Sequence, residues 1–140
     1  MINVAQILKN LAAFCSVKGV QPDELITAIF EKEYKKIETY KVNSYIYFII
    51  NYCEHIDDEE NIISMRYIYD ENKSLLKIEQ KINNGRYSLQ WDRNDALKKY
   101  IMKQLSDLPY QKREDVYQLI IGNLPKDAGY SLPPNLKLVS

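Results

Sequence analysis

NIISMRYIYDENKSLLKIEQKINNGRYSLQW, residues 61–91, is the stretch that sets the fold class of this 140-residue chain. Apolar side chains recur at every second position, with Ile63, Met65, Tyr67 and Tyr69 on one side and Ser64, Arg66 and Asp70 on the other. A period of two marks a strand with one buried face, because successive side chains of an extended chain point in opposite directions. After a turn at Glu71-Asn72-Lys73, Leu76, Ile78 and Ile82 alternate against Lys77, Glu79 and Lys81. Asn83-Asn84-Gly85 then reads as a hairpin, since tight hairpin turns need residues that accept positive φ. Tyr87, Leu89 and Trp91 place a third strand beyond it. The segment therefore reads as a three-stranded antiparallel meander with one apolar and one polar face. A helix over 74–83, stopped by Gly85, is the rival reading; the alternation on both sides of it favours strands.

Upstream, VNSYIYFIINYCEHI at 42–56 is rich in β-branched and aromatic residues, which favours a fourth strand. Ser44 as a cap before an all-round apolar run also permits a buried helix. Asp57, Asp58, Glu59 and Glu60 read as a solvated acidic turn. Further back, Val4, Ile7, Leu8, Leu11, Ala12 and Cys15 fall at helical spacing within 2–17, with Asn3 as a cap and Gly19 as the stop. A second helix is expected over 22–37, opening at Pro22 with Asp23 and Glu24 in its first turn. Leu25, Ile26, Ile29, Phe30, Tyr34 and Ile37 form its apolar stripe, and Glu31–Lys35 and Glu33–Lys36 its surface ion pairs.

Downstream of the meander, Ala96, Leu97, Tyr100, Ile101 and Leu105 make one helical stripe, broken by Pro109. Val116, Leu119 and Ile120 make another over 111–121, closed by Gly122 and Pro125. The tail 126–140 is expected to run extended. The fold class is α+β: an N-terminal helical hairpin, an antiparallel meander of three to four strands and two C-terminal helices, in a single compact domain over 1–140.

Against this architecture, signatures of chemistry are sparse. The chain holds one His and two Cys, too few for a zinc site built from those residues. Cys15 and Cys53 each sit alone in an apolar setting and read as small buried hydrophobes, with a disulfide or a catalytic thiol as the alternative. A thiol–imidazole pair has only His55 to use, and Cys53 and His55 share a face only on a strand. Glycines at 19, 85, 122 and 129 form no phosphate-binding loop, and no G-x-S-x-G elbow is present. Four consecutive acids in one turn do not converge on a cation, so a metal-dependent hydrolase at Asp57 and Asp58 ranks third among the functional readings. No metal, cofactor or catalytic residue is assigned, and the chain is expected to be non-enzymatic.

Lys and Arg total 19 and Asp and Glu total 19, yet the balance is uneven along the chain. The acidic turn carries −4, whereas residues 93–140 carry a net +3. Arg93, Lys98, Lys99, Lys103, Lys112 and Arg113 lie outside the helical stripes, with Tyr100, Tyr110 and Tyr117 among them as stacking surfaces. That pattern supports nucleic-acid binding as the alternative function. Twelve tyrosines, against three Phe and one Trp, support the leading one: a small regulatory or accessory protein that binds another protein, or itself, through the sheet. Arg66, Tyr67, Tyr69 and Tyr87 are the expected contact residues, and the tail offers a strand to a neighbour. The N-terminus lacks the pattern of a signal peptide, and the longest apolar run, at 42–53, is too short to span a membrane. A cytoplasmic protein without membrane contact is expected.

Overall fold

The computed structural model describes residues 3–125 and 129–139. Of the segments read above, Ile2 in the first helix and 126–128 and Ser140 in the tail lie outside the described residues. The chain divides into two compact units, one formed by Lys18–Asp92 and the other by Met1–Val17 with Arg93–Ser140.

The Lys18–Asp92 unit is a five-stranded antiparallel sheet in the order β1-β2-β3-β4-β5. Its strands are β1 (Tyr34–Val42), β2 (Tyr45–Ile56), β3 (Glu59–Tyr69), β4 (Leu75–Ile82) and β5 (Ser88–Asp92). The α+β class and the meander follow the sequence reading, and the apolar run at 42–56 is a strand from Tyr45 onward. The count exceeds three to four because the second helix expected over 22–37 does not form. Only one helical turn, α2 (Pro22–Leu25), and a 3-10 segment (Ile26–Phe30) replace it, and residues from Tyr34 onward enter β1. The cause is competition. Intrahelical Glu–Lys pairs are worth about 0.2–0.5 kcal/mol each. By contrast, Ile37 opposite Ile50, Thr39 opposite Phe48 and Tyr40 opposite Tyr47 bring β-branched and aromatic side chains together along a whole ladder. The apolar stripe read into that helix is accordingly solvent-facing in part: Ile26, Ile29 and Phe30 are 45%, 49% and 95% exposed.

Each hairpin has its own turn chemistry. Val42 pairs with Tyr45, leaving Asn43 and Ser44 as the link, with Asn43 at φ 56°. Ile56 pairs with Glu59, so the acidic turn is only Asp57 and Asp58, at φ 51° and 65°. Positive φ at both central residues is what a type I′ turn requires, and Asp tolerates it better than most. Glu59 and Glu60 are already strand residues on opposite faces. In the β4–β5 link Asn83, at φ 52°, takes the left-handed position that the sequence assigned to the Asn83–Gly85 turn as a whole. The β3–β4 turn is tied by Asp70, whose carboxylate accepts the backbone N–H groups of Asn72 and Ser74, each at 2.9 Å.

Residues 18–21 are laced onto that same turn. Leu75 N–H donates to the Lys18 carbonyl at 2.8 Å, the Tyr69 hydroxyl to the Val20 carbonyl at 2.6 Å, and the Gln21 amide to the Lys73 carbonyl at 3.0 Å. Glycine is required in this crossing: Gly19 has φ 91°, and a Cβ there would lie 2.7 Å from Leu75 Cβ. Val20 and Leu25 then pack against a core of Phe48, Ile50, Tyr69 and Leu75.

The other unit contains α1 (Val4–Ser16), α3 (Arg93–Leu105) and α4 (Tyr110–Asn123). The Asn3 side chain caps α1 by accepting the Gln6 N–H at 2.8 Å. Ile7, Leu11, Cys15, Leu97, Ile101, Leu105, Val116, Tyr117 and Ile120 form its core. Leu119, expected in the stripe of α4, is 49% exposed, and Tyr117 is fully buried in its stead. The Tyr117 hydroxyl donates to the Pro133 carbonyl at 2.7 Å, which answers the polar end of a buried ring. Among the described residues no helix is long and apolar enough to cross a membrane.

Gly19→Ala is expected to lower stability by about 1–3 kcal/mol, combining left-handed strain with a clash. Urea unfolding followed by circular dichroism measures this, and a change below about 0.5 kcal/mol contradicts the tight crossing.

Candidate functional site

Strand pairing sorts the sheet's side chains into two faces. On the inner face Phe48 stands opposite Tyr67, and Ile78 lies between Tyr67 and Trp91. On the outer face Glu38, Ile49, Arg66, Glu79 and Leu89 form one row across all five strands. A flanking row holds Tyr40, Tyr47 and Ile68, and the other holds Lys36, Asn51, Ser64 and Lys81.

This sorting divides the four residues expected to form one contact surface. Arg66 and Tyr87 belong to the outer face, whereas Tyr67 and Tyr69 point into the apolar core, Tyr69 with 2% exposure. Burial pushes both of those hydroxyls up, so they stay neutral. Tyr87 also precedes β5 instead of lying within it. A bulge between Ile78 and Glu79 then places Trp91 on the inner face and Leu89 on the outer one, where simple alternation would keep them together.

Arg66 is the centre of the outer face. Its Nε donates to Glu79 Oε1 at 3.0 Å, and both side chains are mostly covered. Its guanidinium lies 3.7 Å from the Tyr87 ring centre and 5.8 Å from that of Tyr47. Lys81 approaches the same Tyr87 ring at 5.0 Å, and Tyr40 stacks on Tyr47 with centroids 5.1 Å apart. Cation–π attraction and one charge-assisted hydrogen bond thus hold the arginine's fork in place. Burial pushes the Tyr87 hydroxyl up despite the neighbouring Arg66 charge, so it is a neutral donor and acceptor. Beside them Asn51 Oδ1 is buried with no hydrogen-bond partner. The contacts within this platform are stacking, ion pairing and hydrogen bonding.

Sequence reasoning missed Lys36, Glu38 and Tyr40 as members of this face because Lys36 falls within the expected helix and Glu38 and Tyr40 follow directly on it. The signal available was the Asn43-Ser44 turn with Tyr40 and Val42 alternating before it.

A second cluster lies near the Asp57–Asp58 turn. Being on a strand, Cys53 and His55 do share a face, and Glu60 stands opposite His55. The Cys53 thiol donates to Glu60 Oε1 at 3.2 Å, and that bond pushes the thiol's pKa up. This is the reverse of the activation a nucleophilic cysteine needs. Both cysteines are free thiols, and burial pushes Cys15 up as well. Among the described residues no three His, Cys, Asp or Glu side chains converge as a metal site.

The basic residues of the C-terminal helices divide in a similar way. Arg93 is 3% exposed; its guanidinium donates to the Val17 carbonyl at 2.8 Å and lies 4.6 Å from the Tyr130 ring. Arg113 donates to the carbonyls of Leu108 at 3.1 Å and Ser106 at 3.3 Å, closing the α3–α4 turn. Lys99, Lys103 and Lys112 are exposed and Lys98 is half-buried. Lys98 and Lys99 border a shallow cavity of ≈ 280 Å³ with Met102 and Val139 in its lining. Of the three tyrosines read as stacking surfaces, Tyr100 is stacked on Phe14, Tyr117 is buried and Tyr110 is exposed. No family model matches the chain, and no curated protein or solved structure matches it either.

Arg66→Ala is expected to lower stability by about 1–2 kcal/mol, because it removes two ring contacts and leaves the Glu79 carboxylate covered but unpaired. Arg66→Lys should recover less than half of that loss, since a point charge does not replace the planar fork. Denaturant titration of both variants measures the difference; equal stability of the alanine variant contradicts the pairing.

Proposed function

We propose that the protein is a non-enzymatic interaction module that holds another protein against the outer face of its sheet. The observation that carries this reading is the apolar and aromatic border around the fixed Arg66: Tyr40, Tyr45 and Leu89 are 42%, 46% and 52% exposed. Interface centres combine this kind of aromatic and arginine content with surrounding apolar area. A rigid arginine also loses little conformational freedom on binding. Tyr67 and Tyr69, being core residues, support the face from behind instead of touching the partner.

Affinity capture from the native host with the wild-type chain and a Tyr40→Ala/Leu89→Ser variant, read by quantitative mass spectrometry, tests this proposal. A partner enriched by the wild type and reduced at least about tenfold by the variant is expected, as for loss of interface anchors. A partner retained by the variant, or turnover by the purified protein that a point change abolishes, contradicts it.

Nucleic-acid binding by the C-terminal helices is the second reading, favoured by the exposed Lys99, Lys103 and Lys112. Arg93 and Arg113 support it less, being engaged with backbone carbonyls of their own unit. It requires affinity for single-stranded nucleic acid that falls steeply with salt and disappears in a Lys99→Glu/Lys103→Glu variant. Salt-independent or absent binding removes it.

A further inference from the structure

The strand order leaves β1 with one neighbour, so the far edge of its nine residues is not paired within the sheet. A long edge strand is a template for another strand, and proteins commonly guard such edges with lysines. Here the guard is self-complementary. Lys36 and Glu38 lie two residues apart on the outer face, flanking Ile37. Within the chain they form only a loose pair, at 3.8 Å with side chains 62% and 42% exposed. Next to them Tyr40 and Val42 are 42% and 44% exposed, so the edge also offers apolar area.

We propose that β1 pairs antiparallel with β1 of a second copy of this chain, across a two-fold axis at Ile37. In that register Lys36 stands opposite Glu38 of the other copy, and the pairing occurs twice by symmetry. Directly opposed unlike charges stabilise an antiparallel pair and like charges weaken it. The neighbouring registers lack this match. Centring on Glu38 sets two carboxylates against each other, and centring on Lys36 sets two ammonium groups together. Centring on Thr39 places Lys36 against Val42. An even register also keeps both outer faces on the same side, so the Arg66 rows of the two copies become parts of one continuous surface. This self-pairing goes beyond the proposed binding of another protein and does not depend on it.

Single and paired charge reversals, with mass measured by sedimentation equilibrium over a concentration series, test the register. The wild type is expected to dimerise. Lys36→Glu alone and Glu38→Lys alone each set like charges opposite one another twice, weakening the dimer at least about tenfold. Mixing the two single variants restores unlike pairs at both positions, so a heterodimer is expected. The double variant Lys36→Glu/Glu38→Lys is expected to dimerise like the wild type. Recovery on mixing also shows that each single variant is folded. Leu89→Ser, on the opposite edge strand, should leave self-pairing unchanged, which separates it from partner binding at the outer face. A wild type that stays monomeric throughout overturns the proposal. So does a dimer indifferent to the single reversals, or one that mixing fails to restore.

Discussion

The ladder between β2 and β3 is the constraint on which the sheet unit depends. It runs without a register shift from Ile46 opposite Tyr69 to Ile56 opposite Glu59. The Asp57–Asp58 turn sets its phase, and the phase decides which face every side chain of both strands occupies. Slipping by one residue would put Phe48 and Ile50 into water and Arg66 into the core. A charged group without its partner in such a place costs several kcal/mol. Phase therefore defines the core and the surface in one step. The irregularities sit outside this ladder, at the start of β1, the end of β3 against β4, and within the β4–β5 pairing.

One of those irregularities has a chemical outcome. Because the bulge between Ile78 and Glu79 reverses the sidedness of β5, Trp91 reaches the core while Leu89 borders the Arg66 row. The outer face thereby ends in an apolar side chain next to an ion pair. Close by, the Lys18–Gln21 crossing fastens the β3–β4 turn through one backbone pair, Leu75 to Lys18, and through the side chains of Tyr69 and Gln21. The inner face gains Val20 and Leu25 in the same step.

Much of this was legible in the sequence, and the misses share a cause. Residues 61–91 alternate so regularly that local patterning alone placed β3 and β4, and the stripe of Leu97, Ile101 and Leu105 placed α3 just as firmly. Residues 22–37 carry a convincing helical stripe and ion pairs, but their fate is settled by β2, a partner that comes later in the chain. Tertiary pairing overrides local propensity there. The candidate surface was half legible: alternation sets Tyr67 apart from Arg66, but the faces of β5 depend on a bulge that period-two counting does not see. Tyr67 and Arg66 are neighbours in sequence and so necessarily on opposite faces, whereas Arg66 and Tyr87 meet only through folding. In the C-terminal helices, the charge of Arg93 was plain to read, but its burial against Tyr130 and the carbonyls of Cys15 and Val17 was not.

The division of the chain has a consequence for the order of assembly. Every strand of the sheet pairs with its immediate successor, so each ladder closes only a short loop. Such local topology is entropically cheap to build. The helical unit is different: α1 belongs with α3 and α4, yet the entire stretch from Lys18 to Asp92 separates them in sequence. Joining them from an open chain requires closing a very long loop, and that cost is diminished once the meander has already shortened the path. The N-terminal helix is thus the segment of its unit whose placement carries the largest loop-closure cost.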